Sequence, residues 1–297
     1  MHRNTGAYPE ARALFERSLA ISEHTLGPDH PELATTMNNF ARVHLETGAY
    51  PEARALYERA ISIYEKARGK DHPDVAMGLA NLAVVLEKTG AYAESGAMLE
   101  RALAILEKAL GPDHLYVANT LDSLAVVLER TGAYAEARAM LERALAIFEK
   151  TLGPDHREVA GSLNNLAAVL VRTGAYVEAR ALNERALAIQ EKAVGPEHVD
   201  VARSLSNLAD VHLAVERPHD ALPLLERALA IYTAHEGVQD GERNAQFRLA
   251  RALVATHGDR ARALALAGEA RAGSQAAGDT RMLAEVEQFL VEQEVGP

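Results

Sequence analysis

Five histidines, His30, His72, His114, His156 and His198, follow an Asp or Glu in tracts such as Gly27-Pro28-Asp29-His30 and Gly195-Pro196-Glu197-His198. Imidazole beside carboxylate is the chemistry of a metal site or a general base. The spacing argues against both. Each histidine lies 42 residues from the next, so each belongs to a separate copy of one structural unit. Stacked helical units sit about 10 Å apart or more, whereas zinc ligands all lie about 2 Å from one ion. A structural role beside a helix N-terminus is expected, with no metal and no cofactor. His235-Glu236 lacks the second histidine of a zinc-protease helix. His44 and His212 stand where Leu86, Leu128 and Leu170 stand in other copies, and are expected to be partly buried packing residues. No glycine-rich phosphate loop, nucleophile elbow or kinase catalytic-loop motif occurs, and zero cysteines exclude thiol chemistry. The chain is read as non-enzymatic.

The elements that would position these residues follow from self-similarity. Thr-Gly-Ala-Tyr begins at Thr5, Thr47, Thr89, Thr131 and Thr173, always 42 residues on. Between such markers apolar residues recur at helical spacing, as in Leu121, Leu124, Ala125 and Leu128. The Asp29/Glu32 and Asp155/Glu158 pairs have capping-box spacing, and Pro31 and Pro73 fit a first turn. Gly48, Gly90, Gly132 and Gly174 stand where a left-handed C-cap is needed, and a second helix begins at once with Tyr50, Tyr92, Tyr134 or Tyr176. First helices are therefore predicted near 31–46, 73–88, 115–130, 157–172 and 199–214. One such hairpin buries too little to offset the ordering of its own backbone, so stability must come from stacking. The expected fold is an all-α solenoid of helix-turn-helix repeats forming a single elongated domain, 1–297. Its parts are an orphan second helix at 5–25, five 42-residue repeats over 31–237, a degenerate shorter repeat over 238–275 and a capping helix at 279–294.

Gly48, Tyr50, Ala53, Tyr57 and Ala60, and again Gly132, Tyr134, Ala137, Leu141 and Ala144, resemble the tetratricopeptide repeat signature. The 42-residue period, Leu163-Asn164-Asn165-Leu166-Ala167 and the Gly-Pro-Asp-His link resemble the repeats of kinesin light chain and its bacterial relatives more specifically. The segment from Arg248 to Ala272 is similar to the ends of arrays attached to bacterial serine/threonine kinases. Ser95 departs from the small alanine of the signature, Asn183 from its large apolar residue, and the sixth copy has Glu216 and Pro218 for glycine and tyrosine. The resemblance implies a right-handed superhelix whose first helices line a concave groove, and a function in binding protein or peptide partners.

On those first helices, residues offset by two from the buried row turn by about 200° from the core. That row holds Asn38 and Asn39, Asn81, Asp122 and Ser123, Asn164 and Asn165, and Ser206 and Asn207. In the resembled family, asparagines here hold the backbone of an extended peptide, and an amide offers both donor and acceptor. The competing reading is that these amides bridge adjacent helices or meet solvent. Lys88, Arg130 and Arg172 share a register, with Arg42 and Arg203 elsewhere on the groove side. They would favour an acidic peptide, or else serve the macrodipole of the helix C-terminus. Val84, Val126 and Ala168 add an apolar strip, either a floor for ligand side chains or filler between helices.

With 42 acidic against 31 basic residues, the net charge of -11 opposes nucleic acid as a partner. No apolar run reaches the roughly 20 residues of a membrane helix, the first residues do not resemble a signal sequence, and a cytoplasmic location is expected. Tyr8, Ala11, Phe15 and Leu19 form a stripe on the orphan helix that would lack its covering partner. Self-association through this helix is one expectation, a longer parent chain the other. An adaptor or scaffold holding a peptide is the leading functional reading, and a self-assembling array or a detached docking region of a signalling protein is the alternative.

Overall fold

The computed structural model describes residues 7–235 and 237–295; the described residues form fourteen α-helices and no strand. The chain divides into two compact units, Met1–Gly153 and Pro154–Pro297. Unit 1 holds α1 (Ala7–Leu26), α2 (Pro31–Glu46), α3 (Tyr50–Arg68), α4 (Pro73–Lys88), α5 (Tyr92–Leu110), α6 (Leu115–Thr131) and α7 (Tyr134–Leu152). Unit 2 holds α8 (Arg157–Arg172), α9 (Tyr176–Val194), α10 (Val199–Ala214), α11 (Pro218–Thr233), α12 (Gln239–Ala255), α13 (Arg260–Ala277) and α14 (Thr280–Val295). The five first helices, α2, α4, α6, α8 and α10, occupy the ranges read from the sequence to within one residue.

The helix starts differ from the capping-box expectation. The N-cap is the histidine, in extended backbone, and its Nδ1 accepts the backbone N–H two residues on at 3.1–3.3 Å in all five copies. The imidazole stands one residue nearer the helix than the carboxylate, which is left free to turn outward. Asp29 instead meets Lys66 at 2.9 Å and Asp155 meets Lys192 at 2.6 Å, with Asp71 to Lys108 and Asp113 to Lys150 both at 2.5 Å. These pairs tie the last turn of each second helix to the link that opens its repeat. A second series, Arg101 to Glu65 at 2.5 Å, Arg143 to Glu107 at 2.6 Å and Arg227 to Glu191 at 2.7 Å, joins consecutive second helices. The first series is exposed and the second half-buried at the surface, so salt screens them and their individual contributions are small.

First helices end in the left-handed turn that Gly132 adopts at φ 85° and ψ 6°, where the Ala133 N–H reaches back to the Leu128 carbonyl at 2.9 Å. The copy that lacks glycine keeps this turn. Glu216 takes φ 57°, and the Arg217 N–H bonds the His212 carbonyl at 2.8 Å. Packing supplies what the local sequence does not.

The repeat's small residues, Ala53, Ala137, Ala179 and Ala221 with Ser95 in the same place, have no exposed surface and bring the two helices of each hairpin together. Around them in unit 1, Ala83, Leu99, Leu124 and Val127 form one apolar cluster across α4, α5 and α6. In unit 2, Leu225, Leu249, Leu253 and Leu266 gather with Met282 and Val286 of α14. Each buried Leu or Ile contributes about 1.5–3 kcal/mol relative to exposure. The outward positions of α14 are largely polar, as Glu285, Gln288 and Glu292 show.

Candidate functional site

The first-helix rows singled out in the sequence lie in both units. In unit 1, Asn38 and Asn81 are half-buried, and Asn39, Arg42, Lys88 and Arg130 are exposed. In unit 2, Asn165 and Asn207 are half-buried, and Arg172 and Arg203 are exposed. Asn164 is different. It is 2% exposed, its Nδ2 donates to Ser204 Oγ at 2.8 Å, and that hydroxyl donates onward to Gln190 Oε1. Its amide bridges α8, α10 and α9 and is not available at the surface. The cause is angular: consecutive helical residues differ by about 100°, so the first of each pair turns toward the next first helix and the second toward solvent. Asn39 against Asn38, and Asn165 against Asn164, follow that rule.

The basic row is partly neutralised. Arg130 lies 3.8 Å from its neighbour Glu129, and Arg203 binds Asp200 at 3.0 Å. Lys88, Arg130 and Arg172 do stand in the last turns of α4, α6 and α8, where a cation favours the helix dipole. Arg42 and Lys88 make no ion pair among the described residues. His44, near the C-terminus of α2, is 5% exposed and packs against Phe40 with centroids 4.4 Å apart and the rings tilted by 48°. Burial, with Arg12 nearby, holds its imidazole below the ordinary pKa. It is a packing residue.

Between α4, α5 and α6 the rows open into a cleft of about 100 Å³. Its walls are Ala80, Val84 and Glu87 of α4, Leu99 of α5, and Asp122 and Val126 of α6. Pockets for small-molecule ligands run to about 300 Å³ and more. This one has the size of a single side chain. The apolar strip of Val84 and Val126 is thus part of a cleft wall. No group of three or more His, Asp or Glu able to hold a metal ion occurs among the described residues.

A family profile described as tetratricopeptide repeat matches residues 1–66, 48–91, 74–150, 123–192 and 158–234. The chain belongs to the tetratricopeptide repeat family. Repeats of a Podosopora anserina kinesin light chain-like protein are 30% identical over 69% of this chain and 97% of that one, with a TM-score of 0.58. BtubC (BKLC) from P. vanneervenii is 22% identical over 77% of this chain and 92% of its own, with a TM-score of 0.64. The apo form of the quorum sensor NprR from B. thuringiensis is 14% identical over 96% of this chain and 77% of its own, with a TM-score of 0.68. No curated protein matches.

Two tetratricopeptide features escaped the sequence reading. The first is that the degenerate pair α12–α13 continues the rows. His257 takes φ 54° and the Gly258 N–H bonds the Leu253 carbonyl at 2.9 Å, the turn made at Glu216. Counting back from it places Arg248 in the row of Asn39 and Arg251 in the row of Arg42. Arg248 binds Asp210 at 2.7 Å, and Arg251 lies 6.0 Å from the Phe247 ring centroid. Burial pushes the Asp210 carboxyl above the ordinary range against the pull of Arg248. The signal was the turn, hidden because histidine replaces glycine.

The second is which face α1 leaves uncovered. Phe15 stacks on Phe40 at 5.5 Å and, like Ala11 and Leu19, is half-buried; the side chain of Tyr8 lies outside the described residues. The open positions are Leu14, 68% exposed, and Ile21, 53% exposed, whereas Ile63, Ile105 and Ile147 at the place of Ile21 are 6% exposed or less. The expected stripe is thus covered in part, with Ala11 and Phe15 half-buried where Ala53 and Tyr57 are buried. Phe15 faces α2, and Ile21 occupies a position that the later repeats bury.

Proposed function

We propose that this tetratricopeptide protein is a non-catalytic scaffold or adaptor, working in a reducing, cytoplasmic setting, that holds an extended peptide segment of a partner on its first-helix faces. The observation that supports this best is the recurrence of Asn39 and Asn81 in unit 1 and Asn165 and Asn207 in unit 2, amides that stay at least partly exposed at one register in four of the five repeats, with Ser123 in the remaining one. An amide donates and accepts at once, so it can pair with a peptide backbone whatever the ligand's side chains. Asn38 flanks this row, and Asn164 is excluded by its own hydrogen bonds. Arg42 and Lys88, with Arg130, Arg172 and Arg203 in support, favour acidic residues in the bound segment. That one structural neighbour is a quorum sensor suits a recognition role, as does use as the docking region of a larger signalling protein.

The test is selection of ligands from a random peptide library on the full chain, followed by calorimetry. Replacing Asn81 and Asn207 by alanine should weaken the selected peptides by about 1–3 kcal/mol, since a hydrogen bond contributes about 0.5–1.5 kcal/mol. Unchanged affinity with helicity intact would place the ligand on another surface. A second reading, self-assembly, is favoured by the exposed Leu14 and Ile21 of α1.

A further inference from the structure

The cleft between α4 and α6 exists because one repeat departs from the others. Ala80 occupies the position held by Asn38, Asp122, Asn164 and Ser206 in the remaining copies. Two repeats further on, in unit 2, the Asn164 amide at this position bonds Ser204 of the next first helix. The counterpart of Ser204 beside Ala80 is Thr120. With no amide to meet, its hydroxyl turns back and donates to the Tyr116 carbonyl of its own helix at 2.8 Å. The opening is therefore a repeat position left short, with the flanking helices held in place by the Ala83, Leu99, Leu124 and Val127 cluster.

The chemistry of the walls is specific. Ala80, Val84, Leu99 and Val126 offer an apolar barrel, while Glu87 and Asp122 are half-buried carboxylates on opposite helices. Glu87 makes no ion pair among the described residues. Lys88, next in sequence, is exposed and turned about 100° away around α4. A volume of about 100 Å³ suits one unbranched side chain, and a carboxylate in a partly water-excluded cleft attracts a cation more strongly than one in open water. A lysine fits both parts, burying its methylene stem along the valines and alanine while its ammonium stays at the acidic rim. We infer that the α4–α6 cleft is a subsite for one lysine side chain of a bound partner. This rests on the reading that the first-helix face of unit 1 receives peptide, and it assigns a residue to one position of that peptide.

The test uses the full chain with ¹³C-labelled valine methyls, titrated with N-acetyl-lysine N-methylamide and, separately, with the norleucine analogue that keeps the stem and lacks the charge. Saturable shifts confined to Val84 and Val126 are expected with the lysine compound. The norleucine compound, and the lysine compound on Glu87→Gln, should bind at least about five-fold more weakly, the loss of roughly one exposed ion pair. Ala80→Asn, which restores the side chain present in other repeats, should abolish the shifts while circular dichroism stays unchanged. No saturable shift, or equal binding of the lysine and norleucine compounds, overturns the assignment. The single-residue probe reports on the cleft whatever the peptide selection yields. A failed selection with a responsive cleft counts against peptide binding alone, and selected peptides with a silent cleft count against the subsite alone.

Discussion

Asn183 shows how a repeat protein can be compared with itself. Leu99, Leu141 and Leu225 hold the same position and are 1% exposed or less, and Asn183 is equally buried, with its Oδ1 lacking a hydrogen-bond partner. A buried carbonyl oxygen without a donor carries most of its desolvation cost, about 1–3 kcal/mol. Leucine would remove that cost and add apolar burial, against some adjustment of neighbours to its branched shape. Asn183→Leu is expected to stabilise the protein by about 1–2 kcal/mol, read as a higher urea midpoint at unchanged m-value. An unchanged or lower midpoint would mean that the amide is satisfied or that the site cannot accept the branch. Gln190 is a contrasting case. It too replaces a large apolar residue, but its Oε1 accepts from Ser204, so truncating it would leave the Ser204 O–H without its acceptor.

At the scale of the element, the turn from first to second helix is set by one left-handed residue. Glycine reaches that conformation at little cost, whereas a residue with a Cβ pays about 1–2 kcal/mol. Glu216 holds φ 57° because the Arg217 to His212 bond and the packing of α10 on α11 require the turn. Glu216→Gly should therefore raise stability by up to about 1 kcal/mol, less than the full strain because glycine also gains freedom in the unfolded chain. Thermal unfolding of the two proteins side by side measures it. A loss of stability would show that the glutamate side chain contributes more than its backbone costs.

At the scale of the whole molecule, two forces oppose each other at α1. Leu14 and Ile21 present apolar surface, which the position of Ile21 buries and that of Leu14 half-buries elsewhere, and this favours association. The net charge of -11 repels a second copy, and salt screens that repulsion within about 10 Å at 0.1 M. Light scattering should therefore show a mass that rises with protein and salt concentration, and Leu14→Glu with Ile21→Glu should hold the chain at the monomer mass throughout. An unmutated chain that stays monomeric in high salt would remove α1 as an interface.

What the sequence determined by itself was local and periodic. The 42-residue step, the glycines and the apolar spacing located the first helices α2, α4, α6, α8 and α10, because caps and amphipathic faces depend on neighbours within a turn or two. The family followed from the same residues. The tertiary structure decided which of two adjacent amides is buried. Asn164 and Asn165 are indistinguishable as residue types, and only the position of Ser204 on α10 withdraws one of them from the surface. It also decided that the histidine caps the helix and the aspartate reaches Lys66 or Lys192, that Leu14 and not Phe15 is open on α1, and that Arg248 and Arg251 extend the rows. Each of these depends on which helix stands opposite, a relation between residues tens of positions apart that no local spacing encodes.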